Sequence, residues 1–379
     1  MGWQIHQIRW EQKDLAKPPI KPITLKELAA MLELSQSTVS RIVNGEAAAH
    51  RIAEETQQRV LHAAALNGYV ANTMARGLRQ KRTYTIGVIV PEISEGYSTT
   101  VLSGIEDELL KDGFFYFVVS HRHRADLLDG YPRMMLARSV EGIIAVDSPI
   151  SEDLPVPVVS ISGHEQRDGV INIELDHDQA AHLALSHLKS LGHKQVAFIK
   201  GQEFSSDTRL RWQAIVQAAR DLNLGIDDRL VVQLQSPEPG PAPGQEVMRQ
   251  LLQTHQPFTA VFAFNDVTAI GAISALRDAG IRVPRDVSVL GFDDILSAST
   301  HHPPLTTIHQ PLRSMGQVAA STLLSLIRDE IPPPRPKAIT VYPRLVVRKS
   351  TGHIGQPAEL PAQSTIVSHT EHPGSPALD

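Results

Sequence analysis

Two sets of residues in this chain have types and spacings suited to recognition chemistry. The first lies between Ser35 and Asn44. There Gln36, Ser37, Ser40 and Arg41 fall opposite Val39, Ile42 and Val43 at helical spacing. A face meant only for water usually carries Glu and Lys. This one carries amide, hydroxyl and guanidinium groups, which suit base edges and phosphates. Arginine grips guanine O6 and N7 through two bonds, and glutamine can do the same for adenine. The second set is scattered along the chain but regular in context. Asn265-Asp266 follows the apolar run Ala260–Ala263, and Asp293 follows Val287–Leu290. Arg209 opens a helical stretch after Ile199, and Gln310 sits in Leu305–Pro311. A carboxylate accepting adjacent hydroxyls, opposed by an arginine donor, suits a sugar or nucleoside. Tyr97 offers a flat apolar face to a ring. Asp266 reads better as a helix cap than as a ligand.

The elements that must position the first set are three short helices. Thr24 with Glu27 three residues on is a capping box. It opens a helix with Leu25, Leu28, Ala29 and Leu32 on one face. Glu33-Leu34 makes a short turn, Ser35 caps the second helix, and Asn44-Gly45 stops it. A third helix is expected over about Ala53–Asn67, with Val60, Leu61, Ala64 and Ala65 inward. Two short helices joined by a tight turn and braced by a third form a helix-turn-helix.

From Tyr84 the pattern changes to short β-rich runs alternating with helical stretches. Expected strands are Thr85–Val90, Phe115–Val119, Gly142–Val146 and Val156–Ile161. After Asp176 a second series follows, with strands Gln195–Ile199, Ala260–Ala263 and Val287–Leu290 and helices His177–Leu191 and Arg209–Leu222. Continuous apolar strands with crossover helices imply parallel sheets, and two series imply two lobes. Ligands in such folds bind at the carboxyl ends of the strands, here in the cleft between lobes.

Composition limits the alternatives. At 379 residues two or three folded units are expected. The chain has no cysteine, which excludes disulfides, thiolate metal sites and cysteine nucleophiles. No apolar run approaches a membrane span, and Met1–Lys21 is not a secretory signal, so a cytoplasmic protein is expected. The net charge of -5 hides an asymmetry. Lys21–Arg82 carries nine bases against five acids, a balance of +4 that leaves -9 elsewhere. A small basic module therefore precedes a larger acidic one.

The run Thr24–Gly45, with Thr38-Val-Ser-Arg41 at its core, together with Ala75-Arg-Gly-Leu78 and Leu191-Gly-His193, resembles the LacI/GalR family of transcriptional repressors. The resemblance extends to about Lys349. It implies that Gln36, Ser37 and Arg41 read bases and that Thr38, Ser40 and Asn44 hold phosphates. Thr24 and Ser35 join them at the helix starts. Residues 72–79 correspond to the family's hinge helix, in which Leu78 wedges into the minor groove beside Arg76. The core is expected to be periplasmic-binding-protein-like, with Tyr97, Ser162, Arg209, Asn265, Asp293 and Gln310 around the effector.

Several positions depart from the family pattern. Ala53 stands where a Ser or Thr cap is usual, and Val70-Ala71 replaces Arg-Pro. Ser162-Gly163 fills the place of Asp-Arg or an aromatic, and Trp212 stands where Gly is usual.

The sequence thus reads as an all-α helix-turn-helix DNA-binding domain plus an α/β two-lobed core with parallel sheets. The expected boundaries are an extension over 1–22, the helix-turn-helix over 23–70, the hinge over 71–83, the core over 84–350 and a disordered tail over 351–379. No phosphate-binding glycine loop, nucleophile elbow or dinucleotide fingerprint is present, so neither enzymatic activity nor a cofactor is expected. The 17 histidines lack metal-ligand spacing. Expected partners are near-palindromic double-stranded operator DNA, a sugar or nucleoside-like effector and a second copy of the chain, with no membrane. The rival reading is a solute-binding protein with the same core and no specific DNA binding.

Overall fold

The computed structural model describes residues 23–44, 51–69, 82–94, 96–150, 152–163, 167–332 and 334–354. The chain divides into two compact units at Thr83/Tyr84. The expected extension, residues 71–81 of the expected hinge, with Arg76 and Leu78, and residues 355–379 of the expected tail lie outside the described residues; residues 351–354, expected to begin a disordered tail, are described and held, Gly352 N–H donating to Ser288 Oγ at 3.0 Å.

The first unit contains α1 (Leu25–Met31), α2 (Gln36–Val43) and α3 (Glu54–Leu66). The capping box is formed: Glu27 N–H donates to Thr24 Oγ1 at 3.2 Å, and Thr24 N–H donates to Glu27 Oε2 at 2.8 Å. Helix α1 closes with two reversed bonds, Leu34 N–H to Ala29 O and Glu33 N–H to Ala30 O. That closure requires a left-handed residue, and Glu33 supplies it at φ +55°. Leu28, Val39 and Val60 are fully buried where the three helices meet. Arg59 donates to the Leu32 carbonyl at 3.0 Å, placing a cation at the α1 carboxyl end. Leu61 and Ala65, expected inward, are exposed. Only Val60 and Ala64 of α3 are buried, because a helix this short presents one narrow stripe to two partners. Ala53 caps α3 without a side-chain bond, and Glu54 and Glu55 in the first turn offset the loss through the helix dipole.

The second unit has two six-stranded sheets. The first contains β1 (Thr85–Val90), β2 (Phe115–Ser120), β3 (Gly142–Val146), β4 (Val158–Ile161), β5 (Val170–Leu175) and β11 (Ala338–Val341). Its order is β11-β5-β4-β3-β1-β2, and every pairing is parallel. The second contains β6 (Val196–Lys200), β7 (Val231–Gln233), β8 (Ala260–Ala263), β9 (Ser288–Asp293), β10 (Thr306–His309) and β12 (Arg344–Val346). Its order is β12-β10-β9-β8-β6-β7, and β12 alone runs antiparallel. The helices are α4 (Tyr97–Lys111), α5 (Ala125–Leu136), α6 (His177–Ser190), α7 (Ser206–Asp221), α8 (Ala242–Gln253), α9 (Asp266–Asp278), α10 (Leu296–Thr300) and α11 (Leu312–Ile327).

The break after Asp176 is where the chain first leaves the first lobe. The sequence reading did not anticipate two later crossings. After β10 the chain returns to the first lobe as α11 and β11, then crosses back as β12. Helix α11 shares one core with α4, through Val101, Ile105, Leu109, Leu312, Met315 and Ala319. The two backbones touch: a Cβ on Gly104 would lie 1.9 Å from Arg313 O, and one on Gly316 would lie 2.1 Å from Val101 O. Strands β11 and β12 are short and half-exposed at sheet edges, which leaves them little apolar signature to read.

Candidate DNA-reading face and effector cavity

On α2, Gln36, Ser37 and Arg41 are exposed, opposite Val39 and Ile42. Ser35 Oγ is a hub at the helix start. It accepts from Thr38 N–H at 3.1 Å and lies 2.8 Å from both Ser37 Oγ and Thr38 Oγ1. Thr24 and Ser35 thus sit exposed at two helix starts, where amides favour anions. Ser40 differs from its expected role. It is only 8% exposed, and Asn44 Nδ2 donates to its hydroxyl at 3.1 Å and to its carbonyl at 2.8 Å. Ser40 and the half-buried Asn44 close the end of α2.

In the second unit, the carboxyl ends of β1, β3, β6, β8 and β9 converge on a cavity of about 130 Å³. Asp293 ends β9 and is the most constrained group there. Its φ is +105°, its side chain is buried, and its Oδ1 has no hydrogen-bond partner among the described residues. Strain of this kind in a non-glycine residue persists where the surroundings impose it, typically at binding sites. Burial pushes the Asp293 carboxyl well above the usual range; Arg211 opposes the shift, and Asp266 and Asp207 add to it.

Arg211 faces Asp293 from α7. It is 4% exposed. It donates to Asp207 Oδ2 at 2.9 Å and to the Phe264 carbonyl at 2.5 Å. Its guanidinium stacks 3.7 Å from the Phe292 ring and 4.4 Å from Phe264. Its Nε–H has no partner among the described residues. The expected Arg209 is exposed and does not line the cavity. Two residues rotate a helix by about 200°, so the same segment presents Arg211 inward and Arg209 outward.

The other expected positions divide between wall and support. Tyr97 and Asn265 line the cavity. The Tyr97 hydroxyl donates to Ser162 Oγ at 2.9 Å, and its pKa is pushed well above the ordinary value by burial and then by Asp207 and Asp147. Ser162 is fully buried behind it, at φ +54°. Asn265 also caps α9, accepting from Thr268 N–H at 2.9 Å. Gln310 is buried behind Asp293, its backbone N–H donating to the Asp293 carbonyl at 3.4 Å. Trp212 faces away from the cavity, against Phe198 and Lys200, so its bulk does not reshape the site.

Asp266 is not the cap it resembles. Its Oδ1 accepts from Thr307 Oγ1 at 2.6 Å and its Oδ2 from Ile295 N–H at 2.9 Å. Burial pushes its pKa up to about 7. It braces the loop that carries Asp293.

The sequence reading missed several wall residues. Asp147 follows β3 in the first lobe and reaches the second. Its Oδ1 accepts from the Ser206 N–H at 3.1 Å, and its Oδ2 from Ser205 Oγ at 3.3 Å. A carboxylate of one lobe thereby caps α7 of the other, which has no cap of its own. The rule about strand ends, applied to β3 as well, would have found it. His123 and Phe204 stack across the lobes with centroids 3.9 Å apart. The Pro/Gly loop roofs the cavity with Pro237, Glu238, Pro239 and Gly240.

His121 and His193 serve the scaffold. Ser148 donates to the Val146 carbonyl at 2.7 Å, so it accepts from His121 Nε2–H at 3.0 Å. Burial and the neighbouring His123 lower His121 to about 4, which keeps it neutral. His193 bridges Thr259 and Gly352. No group of three metal-ligating side chains occurs among the described residues.

The HTH-type transcriptional repressor PurR of Glaesserella parasuis is 31% identical over 345 residues, covering 88% of this chain and 99% of that protein. Its counterpart from Haemophilus influenzae is 30% identical over 343 residues, with 87% and 99% covered. The chain belongs to the LacI/GalR family of transcriptional regulators. In this family member, residues 185–351 match the model of the periplasmic binding protein-like domain. Solved relatives match most of the chain. The lac repressor dimer bound to operator and the anti-inducer ONPF superposes with a TM-score of 0.77 at 26% identity, covering 88% of this chain and 100% of that one. The regulator CelR in complex with cellobiose superposes at 0.63, with 26% identity and 86% and 99% covered. This LacI/GalR-family regulator has no described helix long and apolar enough to cross a membrane.

Proposed function

We propose that this regulator is a cytoplasmic, homodimeric repressor whose operator affinity is set by a neutral, hydroxyl-rich effector, a sugar or nucleoside, held between the lobes. Each copy places α2 in a major groove, with Gln36, Ser37 and Arg41 on base edges. A two-fold dimer reads a near-palindromic site. The effector changes how the lobes close, and closure is passed through residues 71–83 to the DNA-binding unit.

One observation carries the effector class. Asp293 offers a buried carboxyl oxygen without a partner, and Arg211 offers a buried Nε–H without one, on the same wall. Buried polar atoms are nearly always paired, so two unpaired ones mark the places where a ligand's groups belong. The wall sets the ligand's charge. Glu92, Asp147, Asp207 and Glu238 face a single guanidinium, that of Arg211, among the described lining residues. Hydroxyl donors are favoured there, and phosphate or carboxylate groups meet like charge.

Calorimetric titration of the full chain against neutral sugars and nucleosides and their phosphate esters tests the reading. A neutral ligand should bind, and Asp293→Ala should weaken it by roughly 2- to 13-fold, the loss of one hydrogen bond to a buried carboxyl. Tighter binding of the phosphate ester would reject it. Operator retention that falls steeply with salt separates a repressor from a plain solute-binding protein.

A further inference from the structure

The chain enters the first lobe at Tyr84, the first residue of the second unit. Its φ is +51°, in the left-handed region that residues with a Cβ avoid. A bulky aromatic side chain in this conformation is uncommon; glycine and asparagine are the usual occupants. Such strain persists only where the surroundings over-determine it.

The surroundings of Tyr84 do so from both sides. Strand β1 lies between β3 and β2 in its sheet, and Tyr84 immediately precedes it. Toward β3, the Tyr84 backbone N–H donates to Glu141 Oε1 at 2.7 Å. Glu141 is itself fixed, because its own N–H donates to the Thr85 carbonyl at 2.8 Å. Toward β2, the Tyr84 carbonyl accepts from Phe115 N–H at 2.8 Å. The Tyr84 ring packs edge-on against Phe114, with centroids 5.4 Å apart and planes at 61°. Phe114 in turn belongs to the buried core of the first lobe. A glycine would make this turn without strain but would leave it loose. A tyrosine held by its amide, its carbonyl and its ring makes the turn rigid. Every group that holds it belongs to the first lobe, at the amino end of β1 and away from the effector cavity, which lies at the carboxyl end.

Resting on the reading of the chain as a dimeric operator-binding regulator, we infer that Tyr84 and Glu141 are positioning residues for DNA recognition. The clamped left-handed turn fixes the direction in which residues 71–83 leave the first lobe. It thereby fixes the spacing between half-sites that a dimer accepts. One added base pair rotates a half-site by about 35° around the duplex. A dimer discriminates between spacings only if each linker starts from a fixed direction.

The test begins with selection of double-stranded DNA from a random pool by the full wild-type chain at fixed salt. Affinity is then measured for the recovered site and for versions with one base pair added or removed between its halves. The wild type should bind the recovered spacing at least about tenfold tighter than either altered one. Tyr84→Asn and Tyr84→Val both lose the ring, and the urea midpoints of both should fall. Asparagine adopts the left-handed turn, and a β-branched residue does not. Tyr84→Asn should therefore keep the spacing preference, while Tyr84→Val should cut it to about threefold or less, or move it to another spacing. Glu141→Gln keeps an acceptor for the Tyr84 N–H and should behave as the wild type. Glu141→Ala removes it and should behave as Tyr84→Val. An unchanged preference in both Tyr84→Val and Glu141→Ala would overturn the inference. Equal loss in Tyr84→Asn and Tyr84→Val would also overturn it, because the ring and not the turn would then be responsible. If the wild type recovers no paired sequence, the reading of the chain as a dimeric operator-binding regulator fails, and the inference falls with it.

Discussion

Replacing Arg211 separates the cavity arginine from its exposed neighbour. Arg211→Met keeps most of the side-chain length and removes the guanidinium. Bonds to Asp207 and the Phe264 carbonyl disappear, along with stacking 3.7 Å from Phe292. The larger effect is on what remains. Asp207 is 4% exposed, and breaking one side of a buried ion pair costs about 3–5 kcal/mol. That range is the expected loss of stability in Arg211→Met.

Effector binding should weaken separately, because the open Nε–H is lost. One charge-assisted bond is worth about 1.5–3 kcal/mol, or roughly 10- to 150-fold in Kd. Arg209→Ala, on the exposed side of the same helix, should change stability by less than about 0.5 kcal/mol and leave binding alone. Asp207→Asn combined with Arg211→Met removes both charges and should recover stability but not binding. Urea unfolding of the effector unit and calorimetric titration read the two effects. The reasoning is refuted if Arg209→Ala abolishes binding while Arg211→Met does not. It is equally refuted if the double variant is no more stable than Arg211→Met.

Three further outcomes are expected. Glu33→Gly relieves a left-handed residue, worth about 1–2 kcal/mol, against the ~0.4–1 kcal/mol entropy cost of glycine; thermal unfolding should show the DNA-binding unit gaining up to about 1.6 kcal/mol. Ala53→Ser supplies the missing cap of α3 and should add about 1 kcal/mol in the same measurement. Asp266, with a folded pKa of about 7, keeps its proton in the folded state at pH values where the unfolded chain has lost it. Stability should therefore fall as pH rises from about 4 to 7, by on the order of 4 kcal/mol from this group, and level off above that. Asp266→Asn should flatten this slope; an unchanged urea-midpoint profile would assign it elsewhere.

The local signals in the sequence were read well. The capping box at Thr24, the exposed pattern of Gln36, Ser37 and Arg41, and the apolar strands all follow from spacing a few residues long. What escaped depends on distant partners. Arg211 and Arg209 both lie on the helix that follows β6, and only the packing of α7 decides which turns inward. Asp147 caps a helix that begins 59 residues later, across the cleft. Ser40 looked like part of the reading face because periodicity does not show that Asn44 folds back onto it. The two late crossings escaped because β11 and β12 are edge strands whose identity comes from the sheets that receive them.

That crossed path also governs the order in which the molecule can be made. The first lobe needs α11 and β11, which are encoded after nearly all of the second lobe. At ~5–20 residues per second, residues 84–175 wait roughly 10–30 s during synthesis with the α11-facing side of α4 uncovered. The three-helix unit is complete by Tyr69 and folds long before. A chain halted between Tyr69 and Val341 therefore carries a finished helix-turn-helix on an unfinished core, able to meet DNA but not to answer an effector.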